Sequence, residues 1–205
     1  MNSDSLSERS SQRLRERFRE ETARVVLAAA EQVFAEQGLD GAAMAPIAER
    51  AGVAVGTLYN HFKDRESLLQ ALLDQRRADL LKTLDRSRAE LAKEPFRKQL
   101  ESFLFALFVH FETHRAFTRL VLSSEFGSSK KCGEMPRALC ERIEALLKVG
   151  HREKLLRPDP DHVFAVMLLG SVRAMFLRET YGLAPLDSRA AVAQVMDFFL
   201  RGAGR

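Results

Sequence analysis

Residues 57–65, TLYNHFKDR, place a hydroxyl, a phenol, an amide, an imidazole and two cations within a few helical turns. Side chains of these kinds hydrogen-bond base edges and hold phosphates, and they match no familiar catalytic set. Two other groups could do chemistry. His110 and His114 stand four apart with Glu112 between them, so both imidazoles share one helix face at a metal-competent spacing. A zinc-protease arrangement needs Glu directly after the first His, however, and Phe111 is there. No third ligand stands out, so lining a cavity, or plain packing, is the simpler role for this pair. Cys132 and Cys140 lack zinc-site spacing. Cys132 follows Lys130 and Lys131, which would favour a thiolate redox sensor, while an inert loop thiol is the plainer reading. The chain has no Gly-rich phosphate loop, no G-x-S-x-G elbow and no HExxH. Neither enzyme activity, cofactor nor metal is expected.

The elements that must position the 57–65 cluster are helical. Among the 205 residues, 46% are hydrophobic and 29% charged, within the globular range, and strand-like alternation is almost absent. Apolar residues recur at helical spacing from Leu14 to Phe34, and Gly38 is expected to end that helix. Residues 1–10 read as a disordered tail. A second helix ends at Gly52, a third covers about Gly56–Phe62, and a long fourth begins after Asp64, its N-cap. Pro136 opens a later helix and Ser188 caps the last, giving about nine helices and an all-α fold. The longest apolar run, Phe103–Phe111, is too short to span a bilayer, and the polar N-terminus is no secretory signal. With two cysteines and no membrane element, a reduced cytoplasm is the default location.

Ala48, Gly52 and Leu58 have the A-x3-G-x5-L spacing of a helix-turn-helix. Ala48 would let two helices approach, Gly52 would supply a left-handed turn residue, and Leu58 would pin the second helix to the core. That helix then offers Thr57, Tyr59, Asn60 and His61, with Lys63 and Arg65 just beyond. The small Ala54, Val55 and Gly56 would let it sit deep in a major groove, with Ala54 or Val55 against a thymine methyl. The bland alternative packs Tyr59 and His61 in a three-helix core and leaves Lys63 and Arg65 as surface charges.

At this point the chain resembles the TetR family of transcriptional regulators. The resemblance covers Arg24 to Leu72. It rests on A-A-x3-F-x3-G at Ala29, Ala30, Phe34 and Gly38, then I-A-x3-G-V, then G-T-L-Y-x-H-F-K followed by L-L. Beyond Leu72 it persists in helix count and in LLRPDPDHVFAVMLLGSVRAMF. It implies a homodimer binding an operator in double-stranded DNA, with a three-helix head at 21–66 after an extension at 1–20. A domain at 67–205 would bind a small-molecule effector and dimerise through the last two long helices. Thr57, Tyr59, His61 and Lys63 match the family's DNA-contacting positions, Asn60 a variable recognition position, and Arg65 a phosphate position. Ala43, Met44, Ala45 and Pro46 depart from the pattern, standing where many members have a hydroxyl cap and a polar DNA-reaching residue. Arg13, Arg15, Arg17 and Arg19 could compensate from the extension, although Glu16, Glu20 and Glu21 interrupt them and favour a solvated face.

In such a domain, Phe103, Leu107, His110, Phe117, Val121, Met167 and Phe176 would line an apolar effector pocket, each with plain core as the alternative. Phe164, Leu168, Ser171 and Met175, with Val192, Val195, Met196 and Phe199, form apolar stripes suited to a dimer interface. Monomer core is the alternative, and the resemblance favours the dimer. The sum is a regulator, most simply a repressor released by a small apolar effector. The competing reading is a helical partner-binding or scaffold protein without operator binding.

Overall fold

The computed structural model describes residues 3–123, 134–178, 182–184 and 187–204. Among them run nine helices: α1 (Ser3–Gly41), α2 (Met44–Ala51), α3 (Val55–His61), α4 (Arg65–Glu90), α5 (Phe96–Thr113), α6 (Arg115–Ser123), α7 (Glu134–Arg152), α8 (Val163–Phe176) and α9 (Ser188–Ala203). The fold is all-α, with one isolated bridge between Leu156 and Gly204. Cys132 and its two lysines lie outside the described residues. The chain divides into two compact units, Met1–Gln75 and Arg76–Arg205, so the boundary falls inside α4.

The first unit is built on short, tightly connected helices. Val26, Ala30, Val33 and Phe34 from α1, Ile47 and Ala48 from α2, Leu58 from α3, and Leu68 and Leu72 from α4 are all fully buried. Each larger apolar side chain so sealed contributes about 1.5–3 kcal/mol. Gly38 bends α1 without ending it: its φ of 83° and ψ of 166° break the helical path, and a last turn reaches Gly41. The expected tail is also replaced, since helical backbone begins at Ser3. No glycine or proline interrupts the chain before Gly38, and arginine is a good helix former. Arg50 ties α2 to α1 through Glu36 at 2.6 Å.

In the second unit α5 packs against α7 and α9, α8 lies against both α7 and α9, and α6 follows beside α5. Leu100, Leu104 and Leu107 of α5, Ile143 of α7, Leu168 of α8 and Val195 of α9 belong to one buried cluster. Gly150 permits close approach within it, because a Cβ there would lie 2.8 Å from the Leu156 side chain and 3.0 Å from Phe96. Three carboxylates organise helix starts. Glu153 accepts the Phe96 N–H of α5. Asp159 accepts the N–H groups of Val163 and Phe164 at 3.0 Å each. Asp187, one residue before the expected Ser188, caps α9 by accepting the Ala190 N–H at 2.7 Å.

The expected dimer stripes need correcting. Phe164, Leu168, Val192, Val195, Met196 and Phe199 are each at most 6% exposed and belong to this unit's own core. Ser171 and Met175 are half-buried beside them. Helix α8 has two apolar faces, and its bulkiest residues took the inward one. The outward face carries Val163, Val166 and Met167, exposed by 44%, 63% and 64%. Gly170 and Ala174 share it. Phe198 of α9 is 71% exposed.

Candidate nucleic-acid interface

The turn between α2 and α3 is set by its main chain. Gly52 adopts φ 68° and ψ 29°, the left-handed region that a Cβ disfavours, and caps α2 by donating to the carbonyls of Ala48 and Glu49. The Val53 N–H donates to the Ala48 carbonyl at 3.0 Å. Ala48 is fully buried, which lets the helices cross closely. At the other end of α2, Ala43 is the N-cap and provides no side-chain bond. Ala45 is exposed and Pro46 half-buried, so this helix start offers no polar side chain.

Helix α3 has one anchor. Leu58 alone among its residues is buried, and it fixes the rotation of the other six. Tyr59 is 52% exposed and Val55 42%. Ala54, Gly56, Asn60 and Lys63 are exposed, and Thr57 and His61 half-buried. The His61 ring leans on Phe62 at 6.2 Å between centroids. The helix ends where Phe62 turns extended and its N–H donates to the Leu58 carbonyl at 2.9 Å. A small apolar entry (Ala54, Val55, Gly56) therefore continues into a polar, aromatic and cationic surface.

Two neighbours modify that surface. Arg65 is half-buried and donates to the Leu39 carbonyl, closing the end of α1 against the start of α4. Arg65, expected at a phosphate position, thus also serves as a brace through one of its guanidinium nitrogens. Asp64 caps α4: its carboxylate accepts the Ser67 N–H at 2.7 Å, and its own N–H donates to the Ser67 hydroxyl at 3.1 Å. The Ser67 bonds hold the Asp64 carboxyl below its ordinary range, with help from Lys63, against a smaller opposing effect of burial. Sequence reasoning foresaw the cap but missed the brace, because a carbonyl partner leaves no mark in the residue types.

Residues 26–72 match the family model described as bacterial regulatory proteins, tetR family. An uncharacterized HTH-type transcriptional regulator of Bacillus subtilis, YhgD, is 26% identical over 185 residues, 86% of this chain and 93% of that protein. The HTH-type transcriptional regulator TtgR of Pseudomonas putida is 44% identical over 55 residues, 27% of this chain and 26% of its own. The head of the chain is thus of the TetR type. Among solved structures, the fatty acid degradation regulator FadR of Bacillus halodurans superposes with a TM-score of 0.76 at 22% identity, covering 88% of this chain and 95% of that one. The ketosteroid transcriptional regulator KstR2 of Mycobacterium tuberculosis gives 0.67 at 22% identity, covering 88% and 93%. At that identity the likeness speaks for a shared fold. With its TetR-type head, the chain is a DNA-binding transcriptional regulator of the helix-turn-helix kind.

Among the described residues, those expected to line an effector pocket stand in different surroundings. Phe103, Leu107 and Phe117 are buried packing residues. Met167 stands on the outward face of α8 and lines nothing internal. His110 and Val121 are half-buried, with the His110 ring 4.9 Å from that of His114. Among the described residues no three His, Cys, Asp or Glu side chains gather as metal ligands. Phe176 packs against Phe108 at 5.1 Å and Phe111 at 4.7 Å. It borders a cleft of about 20 Å³ with Phe108, Glu112, Arg115, Met175, Ser188 and Ala191. That volume admits no more than a water. The Ser188 hydroxyl donates to the Glu112 carboxylate at its edge. Glu112, Arg115 and Ser188 escaped the sequence reading, since this cleft joins the ends of α5 and α9. Cys140 is half-buried, and burial with the nearby Glu144 charge pushes its thiol pKa up.

Proposed function

We propose that the protein is a homodimeric repressor whose two α3 helices enter successive major grooves of a pseudo-palindromic operator, and that a small apolar effector releases it. The observation that carries this is the rotation of α3: Leu58 is sealed while Tyr59, Asn60 and Lys63 stand in solvent. In this reading Ala54, Val55 and Gly56 lie against the groove floor and Tyr59, Asn60 and His61 meet base edges. Thr57 and Lys63 hold phosphates, and Arg65 serves them from behind by fixing the start of α4. The protein would act in the cytoplasm, where its operator is.

The second copy would cover the outward face of α8, with Val163, Val166, Met167, Gly170 and Ala174, and Phe198 of α9. A soluble monomer seldom leaves an apolar strip of that kind uncovered. The effector would enter beside Phe108, Met175 and Phe176. Because the cleft there is nearly closed, ligand entry must open it, and an effector binding the opened state better shifts the population away from the DNA-competent one. An apolar effector agrees with the Phe-rich lining and with the names of the fatty acid and ketosteroid regulators that share the fold.

The decisive experiment is fluorescence anisotropy with the DNA upstream of the protein's own gene. The parent should bind tightly as a dimer. Lys63→Ala should bind every sequence more weakly, with its log-affinity against log-salt slope reduced by about 1. An unchanged slope and affinity for this variant would remove Lys63, and the face around it, from the interface.

A further inference from the structure

We infer that the N-terminal half of α1 is a DNA arm that grips backbone phosphates beside the recognition site. The inference rests on the DNA-binding reading of the head and extends it to a surface outside the helix-turn-helix. Its first support is where the charge lies. Residues 9–19 contain five arginines and one glutamate, a net of +4, and the whole chain nets +4. Glu8, Glu20 and Glu21 bracket the stretch, so its cations are a local cluster inside a helix that is nearly balanced over residues 8–21.

The second support is the state of that stretch. It is helical, yet every residue from 11 to 20 is exposed, including Leu14 at 52% and Phe18 at 65%. The packed part of α1 begins only at Val26. Among the described residues Arg13, Arg15, Arg17 and Arg19 have no ion-pair partner, because Gln12 donates to Glu16 and Arg24 pairs with Glu21. On a helical wheel Arg13 and Arg17 fall on one side of Leu14 and Phe18, and Arg15 and Arg19 on the other. An unsupported helix of this length is marginal in water. A polyanion lying along it would hold the cations and order the helix together. From Ser3 to the packed region the arm measures about 35 Å, the length of roughly ten base pairs. Duplex DNA is the polyanion the head already brings close.

The test uses the full chain and a duplex selected by that chain from a random pool. The duplex is prepared in two lengths, trimmed at the edges of the selected site or extended by about ten base pairs on each side. Arg13, Arg15, Arg17 and Arg19 are changed together to Gln, which keeps helix propensity. On the long duplex the salt slope should fall by about 0.9 for each phosphate that the arm no longer neutralises. With four such phosphates, the parent would lose on the order of 100-fold more affinity than the variant between about 50 and 200 mM salt. On the short duplex parent and variant should agree, and the four Lys replacements should restore the long-duplex slope. Equal slopes for parent and Gln variant on both lengths would overturn the inference, as would an equal drop on both. Binding of the parent to phosphatidylserine vesicles that the Gln variant loses, with DNA slopes unchanged, would assign the arm to membranes instead. Lys63→Ala is the control: if it leaves both duplexes unaffected, the head reading has failed rather than the arm.

Discussion

The first unit and the second use apolar residues to different ends. In the first, Leu58 and its buried partners do one job, and the polar side chains of α3 are left outside the core. In the second, the same residue types must supply a core, a cleft and an outward face. The family model likewise matches within the first unit, over residues 26–72. One backbone tolerates wide sequence change, as the 22% identity at a TM-score of 0.76 illustrates. Polar side chains on a small, rigid frame can be assigned from spacing. Leu, Val, Met and Phe on long helices cannot, since their roles differ only by rotation about the helix axis.

Adjacent residues on α8 test that rotation with the largest effects. Met167→Asp should place an uncompensated charge in the proposed subunit contact, costing about 3–5 kcal/mol of association and yielding monomers in sedimentation equilibrium. The monomer should otherwise stay folded. Leu168→Ala should do the reverse, lowering the urea midpoint by about 2–5 kcal/mol of stability through the cavity it leaves, without abolishing association among folded molecules. Exchanged phenotypes would mean that the outward and inward faces have been assigned the wrong way round.

The head offers a matching pair on α3. Leu58→Ala should cost about 2–5 kcal/mol of stability. Tyr59→Ala should leave the urea midpoint within experimental error but weaken specific DNA binding by about 1–3 kcal/mol, read as anisotropy at fixed salt. A Tyr59 variant that unfolds easily would place the ring in the core and erase the contrast between the two units. Gly52→Ala comes next. Nothing lies within 4 Å of the position a Cβ would take, so the effect isolates the left-handed backbone. It should cost about 1–2 kcal/mol, and Gly52→Asn distinctly less, since Asn tolerates that conformation. Equal losses for Ala and Asn in urea melts would point to a steric cause instead.

These contrasts explain which parts of the fold could be read in advance. Gly52, Ala48 and Leu58 have one physical role each, so the helix-turn-helix followed from their spacing. Asp64 was legible as a cap because a carboxylate before an apolar repeat has few other uses. Gly38 was legible only as a disturbance: whether a glycine ends a helix or bends it depends on what packs beyond, here the buried Leu39 and Ala42. The brace from Arg65 to Leu39 and the bond from Ser188 to Glu112 were invisible, since they join residues 26 and 76 positions apart. The outward face of α8 was missed for the same reason. Its periodicity matches that of the inward face, and only α7 and α9 decide between them.

The smallest predicted effect probes how the second unit is fastened. Where the head relies on main-chain geometry, α4 and α7 are linked by side chains: Arg142 donates a fork to Asp85 at 2.9 and 2.7 Å and a further bond to the Ala138 carbonyl. The hydrogen bonds from Arg142 hold the Asp85 carboxyl below its ordinary range, opposed by partial desolvation and aided by the charges of Arg142 and Arg88. A carboxyl depressed on folding stabilises the native state above its unfolded pKa, and that contribution disappears as pH falls through the folded value. Asp85 is 53% exposed, so solvent screens the pair, and it should be worth only about 0.2–1 kcal/mol. Urea melts of Asp85→Asn should therefore lie slightly below the parent at pH 7 and merge with it once the pH is well below the ordinary Asp range. Coincident melts at pH 7 would show that packing of the Arg142 stem, and not its ion pair, joins α7 to α4.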